Sequence, residues 1–299
     1  MRTKPNDRCS SMKILLPLDI TQSTEALNNF ISQVSTLIHL KEAELLLLYV
    51  NEVWPAYENM LGSSGEFADD WHNQVEKKAQ TSLAEAEAML SGKCAKVTHE
   101  IVSGPPAMMI ETVARDEMCN MTVMMPGRHP AVEEFLLGSV SSKVVKHGPG
   151  TILIMRPLEK NIDQLRNVLI AIDGSPNAKE AMMKSVQMFG LAERDVNVLL
   201  LHSVDISDPI KYFSPVEFIS RVEQNLLMEG ETYLADAKRM LADAGVKRVD
   251  MALKEGRPAK EILAVAKSMP ADLIIAGAEG RTAVQHFLLG SVSHTLAMK

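Results

Sequence analysis

Apolar residues fall in short runs along this chain, and amphipathic stretches separate them. Lys13-Ile14-Leu15-Leu16-Pro17-Leu18-Asp19 reads as a first strand ending in an acid. Residues 45–50 are an unbroken apolar run, the mark of a strand covered on both faces of a parallel sheet. Residues 97–102 alternate as a third strand, and residues 121–125 and 151–155 predict a fourth and a fifth. Helices are predicted between them. Residues 25–38 follow the cap candidates Thr21 and Ser23, residues 70–90 are rich in Ala, Glu, Lys and Leu, and residues 107–115 follow Gly104-Pro105-Pro106. A loop with Trp54, Pro55 and Gly62 follows the second strand.

The same order is then written again. Asn167-Val168-Leu169-Ile170-Ala171-Ile172-Asp173 matches the first strand and its acid, and residues 196–202 match the second. Gly256-Arg257-Pro258 repeats Gly104-Pro105-Pro106 at an offset of 256 − 104 = 152. Phe287-Leu288-Leu289-Gly290-Ser291-Val292-Ser293 repeats residues 135–141, and 290 − 138 is again 152. A shared string at constant register is the signature of internal duplication. Strands alternating with helices predict an α/β fold, two tandem open parallel sheets with helices on both faces. The expected domains are 12–157 and 166–299, joined by a charged linker near 158–165. The second copy reaches Lys299 at the position of His147, so its sheet is expected to lack the last strand and to expose an apolar edge.

Composition narrows the class. Only 4% of residues are aromatic, so the cores must rest on Leu, Ile, Val and the 19 methionines. A net charge of −7 gives no basic field for nucleic acid. Cys9, Cys94 and Cys119 are scattered without a Cys-x2-Cys pair, which points to a reducing, cytoplasmic setting rather than a disulfide or zinc framework. No apolar run approaches the ~20 residues of a membrane span. Residues 1–11 are polar, read as a disordered lead-in without a signal peptide's apolar region.

The candidate chemistry lies in Ala276-Gly277-Ala278-Glu279-Gly280-Arg281, which follows the apolar Leu273-Ile274-Ile275 and is closed by Gly290-Ser291. The spacing is Gly-x2-Gly-x9-Gly-Ser. Glycines that end a strand and feed a helix let backbone N–H groups approach an anion. Ser291 could cap a helix or give its hydroxyl to a phosphate. This is neither a Walker A loop nor the Rossmann Gly-x-Gly-x-x-Gly. In open parallel sheets ligands sit at the strands' carboxyl ends, where strand order reverses, so one pocket could gather Asp173 and Gly277.

Together with the strand-Asp-Gly-Ser of residues 170–175, the strand-His of residues 199–204 and Gly256-x-Pro258, this loop resembles the universal stress protein family over nearly the whole chain, as two copies. The resemblance implies Rossmann-like, adenine nucleotide alpha-hydrolase-like domains and a stress-response role. In the family's ATP-binding subgroup, adenosine lies between the first two strand ends and the phosphates lie on the glycine loop. Carried over, Asp173 contacts the adenosine part, Ser203 stands beside the adenine where the family often has Val, and Gly277, Gly280, Gly290 and Ser291 hold the phosphates. The implied ligand is ATP or a related adenine nucleotide, with or without Mg2+, and the family's contacts imply a homodimer or an intramolecular pseudo-dimer. The first copy departs: Met125 stands for Gly277 and Arg128 for Gly280, Gly127 is one residue out of place, and only Gly138-Ser139 remain.

Alternative readings stay open on the residues alone. Asp173 could build a turn and cap a helix, the glycines could form a tight turn without a ligand, and Gly290-Ser291 could only cap. His202 fits a core histidine, His286 and His294 lack a third metal ligand, and His129 fits a solvated loop. A slow ATPase would need a base, cations and a metal site beyond Arg281 and Asp173. An adaptor acting through protein or other small-ligand contacts needs neither.

Overall fold

The computed structural model describes residues 11–52, 66–124, 137–156, 162–206, 214–280 and 289–299. The lead-in 1–10, Trp54, Pro55, Gly62, Met125, Gly127, Arg128, His129, residues 158–161 of the linker, Arg281 and His286 lie outside them. Within the described residues the chain divides into two compact units. The first holds 11–35, 39–124 and 148–156, and the second holds 36–38, 137–147 and the described residues from 162 onward.

The first unit's sheet has five parallel strands: β1 (Lys13–Pro17), β2 (Glu44–Asn51), β3 (Lys96–Ser103), β4 (Met121–Met124) and β5 (Thr151–Ile154), in the order β3-β2-β1-β4-β5. The apolar runs are central because both their faces are covered. Ile14, Leu15 and Leu16 of β1 and Leu45, Leu46, Leu47 and Leu48 of β2 are all buried, each contributing roughly 1.5–3 kcal/mol. Strand β3, at the edge, reads half-buried at best. Helix α1 (Thr24–Leu37) turns Leu27, Phe30, Ile31 and Val34 inward at helical spacing. Helices α2 (Glu66–Leu90) and α3 (Pro106–Asp116) complete this part of the repeat, and α4 (Ser139–His147) belongs by packing to the second unit.

The second sheet has four described strands: β6 (Asn167–Ala171), β7 (Asn197–Val204), β8 (Arg248–Glu255) and β9 (Leu273–Ile275), in the order β8-β7-β6-β9. All pairs are parallel, and the sheet has one strand fewer than the first, as the repeat register predicts. Val168, Leu169 and Ile170 of β6 are fully buried. Its helices are α5 (Pro176–Phe189), α6 (Val216–Asp243), α7 (Pro258–Ser268) and α8 (Ser291–Met298). The apolar sides of α7 and α8 close one face, where Ile262, Val265, Val292 and Leu296 pack around Leu169 and Leu201. The chain runs from β6 to β7 and β8 on one side and returns to β9 on the other. The carboxyl ends of β6 and β9 are therefore neighbours at the point where strand order reverses.

Candidate functional site

Asp173 follows β6 by two positions. The intervening Ile172 is buried and donates its N–H to Leu201 O at 2.9 Å, which extends the sheet to the turn. Asp173 Oδ1 accepts the N–H of Ser175 at 2.9 Å, an Asx turn. Between them Gly174 takes φ +79°, a left-handed backbone that glycine adopts without strain. The cap is Ser175, whose Oγ accepts the N–H of Ala178 at 3.1 Å, with Pro176 at the first helical position. Asp173 thus builds the turn and Ser175 caps α5. Ser175→Ala is expected to lower stability by about 1 kcal/mol, read as a fall in melting temperature. Ser175→Asp, which restores a cap acceptor, should recover most of it.

The glycine loop reaches this turn from β9. An ideal Cβ on Gly277 would lie 2.9 Å from Ala178 N, 3.1 Å from Ala178 Cα and 3.2 Å from Asn177 C. The loop backbone therefore lies against the first turn of α5. A Cβ on Gly280 would lie 2.9 Å from Asp173 Oδ2. Two hydrogen bonds fasten the loop to α8: Gly290 N–H donates to Ala278 O at 2.8 Å, and Ser293 Oγ donates to Gly277 O. Gly290, not Ser291, is the N-cap of α8, with φ −60° and ψ 152° and no side-chain cap bond. Ser291 is exposed at the first turn.

Asp173, Gly277, Gly280 and Gly290 are thus linked through direct neighbours, around the N-terminus of α5. Such an end presents partial positive charge, and glycine-lined backbone allows an anion to come close. Ser203 sits at the carboxyl end of β7, where its Oγ donates to Gly256 O at 2.7 Å, so its proton is committed to the β8 end. His202 is buried, with Nδ1 2.6 Å from Ile172 O, the hydrogen-bonded core histidine that its strand position allows. The sequence reading missed Ser293, Gly230 and Tyr233. Ser293 had a signal in the repeat, where its counterpart Ser141 is a buried serine. Gly230 and Tyr233 sit three apart in a long polar helix and give no signal by themselves.

In the first unit the Asx turn is kept. Asp19 Oδ1 accepts the N–H of Thr21 at 2.9 Å and its hydroxyl at 2.6 Å, and Ser23 Oγ accepts the N–H of Ala26 at 3.2 Å. The neighbouring strand end carries Tyr49, whose pKa is raised by burial and then by the charge of Asp19. Among the described residues no group of three His, Cys, Asp or Glu side chains could hold a metal ion. No helix among them is long and apolar enough to cross a membrane.

Two open parallel α/β units, the second with a glycine loop where its strand order reverses, define a Rossmann-like class of fold. The chain belongs to the universal stress protein family, whose pattern matches it twice, over residues 11–156 and 164–299. It is 36% identical over 133 residues to a putative universal stress protein of Staphylococcus epidermidis, covering 44% of this chain and 76% of that protein. It is 28% identical over 235 residues to a universal stress protein of Mycobacterium bovis, covering 75% of this chain and 68% of the other. The solved structure of a universal stress protein from Archaeoglobus fulgidus shares its fold, with a TM-score of 0.62 at 21% identity over 96% of this chain and 95% of that one.

Proposed function

We propose that this protein is a stress-response regulator that binds ATP, or a related adenine nucleotide, in its second unit. The observation that carries the reading is the joining of Asp173 and the glycine loop at the N-terminus of α5, with Gly280 directly over the Asp173 carboxylate. In this reading the backbone of Gly277, Gly280 and Gly290, with the exposed Ser291 hydroxyl, holds the phosphates. Asp173 and the β7 end at Ser203 face the nucleoside. In this reading the nucleotide arrives with Mg2+, which would neutralise phosphate charge where no Walker lysine follows the loop. The first copy, with Met125 and Arg128 at the glycine positions, does not bind in this manner.

The test is a thermal melt with and without ATP. A ligand at about 100 times its Kd stabilises by about 2.7 kcal/mol, so a clear rise in melting temperature is expected with ATP. GTP should give a smaller rise. Phosphate release should stay below about 1 per second, the low end of ordinary enzymes. No shift with ATP would overturn the binding reading. Faster release abolished by Asp173→Ala would make the site an enzyme instead.

A further inference from the structure

We propose that helix α6 sets the position of the Asp173 turn through two glycine seats, with His202 on Gly230 and Tyr233 on Gly174. His202 and Tyr233 are then positioning residues of the nucleotide site. The functional half of this proposal rests on the nucleotide reading above.

His202 links three elements. From β7 its Nδ1 reaches Ile172 O at 2.6 Å, and a carbonyl only accepts, so Nδ1 carries the proton. The far side of the ring lies on α6. A Cβ on Gly230 would come within 2.5 Å of His202 Cδ2, 2.9 Å of Leu253 Cδ1 and 3.2 Å of His202 Nε2. Only the absence of a side chain at 230 lets the buried ring keep its bond to Ile172. One turn on, Tyr233 meets His202 edge-on, with centroids 5.7 Å apart and planes at 78°. The Tyr233 ring also lies on Gly174, where a Cβ would be 2.7 Å from Cε1. Ile172 and Gly174 are the two chain neighbours of Asp173. Both are held by this joint, one through its carbonyl and the other through its missing side chain.

The first copy shows that the fold does not require this joint. In α2 the buried positions Ala79, Leu83, Ala86 and Leu90 correspond to Gly230, Leu234, Ala237 and Leu241 of α6, since 230 − 79 and 241 − 90 are both 151. Ala79 therefore replaces Gly230, and Ser82 replaces Tyr233. Strand register places Tyr49 at the position of His202, because Tyr49 pairs with Ile101 as His202 pairs with Leu253, and 253 − 101 = 152. Ile20 replaces Gly174 in a turn that otherwise keeps its Asp19–Thr21 bond. All four members of the joint are changed in the copy whose loop has also lost two of its three signature glycines. The joint and the intact loop occur together, which a purely structural role for either does not explain.

The test uses the full chain, with ATP as the probe and the exchange rate of the Ser175 amide as a second readout. Gly230→Ala is expected to weaken ATP binding by about tenfold or more and to speed Ser175 exchange. In a His202→Ala background, Gly230→Ala should change both readouts by no more than about threefold. Alanine at 202 removes the ring atoms that a Cβ at 230 would strike. Tyr233→Ala, which only removes atoms, should shift both readouts in the same direction and carries the test if Gly230→Ala does not fold. Wild-type affinity and exchange in Gly230→Ala and Tyr233→Ala, or an undiminished Gly230→Ala effect in the His202→Ala background, would overturn the proposal. If the wild type binds no ATP, the nucleotide reading fails, and Ser175 exchange alone still decides whether α6 sets the turn.

Discussion

Gly277→Val is expected to lower both stability and nucleotide affinity. The new Cβ would meet Ala178 N at 2.9 Å and Asn177 C at 3.2 Å, which are backbone atoms in the first turn of α5. They cannot step aside as a side chain does. Ala178 N–H is already bonded to Ser175 Oγ, so moving it breaks the helix cap. The loop is equally tied, through Gly277 O to Ser293. Overpacking of this kind costs about 1–3 kcal/mol. Denaturant unfolding should show a lower midpoint at unchanged slope, and ATP binding should fall beyond tenfold, about 1.4 kcal/mol. A variant with the wild-type midpoint would mean that the loop does not lie against α5.

Gly280→Val should separate the two effects. Its Cβ would meet only Asp173 Oδ2, at 2.9 Å, the free end of a side chain that can rotate. Gly280 is exposed and its φ is not in the left-handed region, so valine brings no backbone strain there. Stability should change by no more than about 0.5 kcal/mol, as for ordinary surface substitutions. Affinity for ATP should still fall about tenfold or more, because the branched side chain covers the carboxylate and keeps phosphate from the backbone. Unchanged affinity would remove Gly280 from the site. A large loss of stability would show that the turn at Asp173 depends on Gly280 for packing rather than for binding.

The contrast between these glycines marks what was legible in the chain. The α/β class was, because Leu45 to Leu48 are an unbroken apolar run and Leu27, Phe30, Ile31 and Val34 keep helical spacing. The repeat of strands along the chain followed from duplication, and the four-strand second sheet from its register. The glycines could be picked out because residue type alone marks them. Their different duties could not, since Ala178 lies 277 − 178 = 99 positions from Gly277 and only the folded chain brings them together. The same reason hid the cap. Asp173 and Ser175 are both good cap residues, and only the hydrogen bonds assign the turn to one and the helix to the other. Nor does a glycine inside a long polar helix announce that a histidine from a strand will rest on it. The repeat register likewise said nothing of the packing that groups α4 with the second unit.

The central claim is that one of the two copies holds an adenine nucleotide. Isothermal titration of the full chain with ATP and Mg2+ tests it most directly. The expected result is a single site per chain, weakened in Gly280→Val and kept in Met125→Ala. Two equivalent sites, no binding, or a single site that survives Gly280→Val and is lost with Asp19→Ala would contradict it.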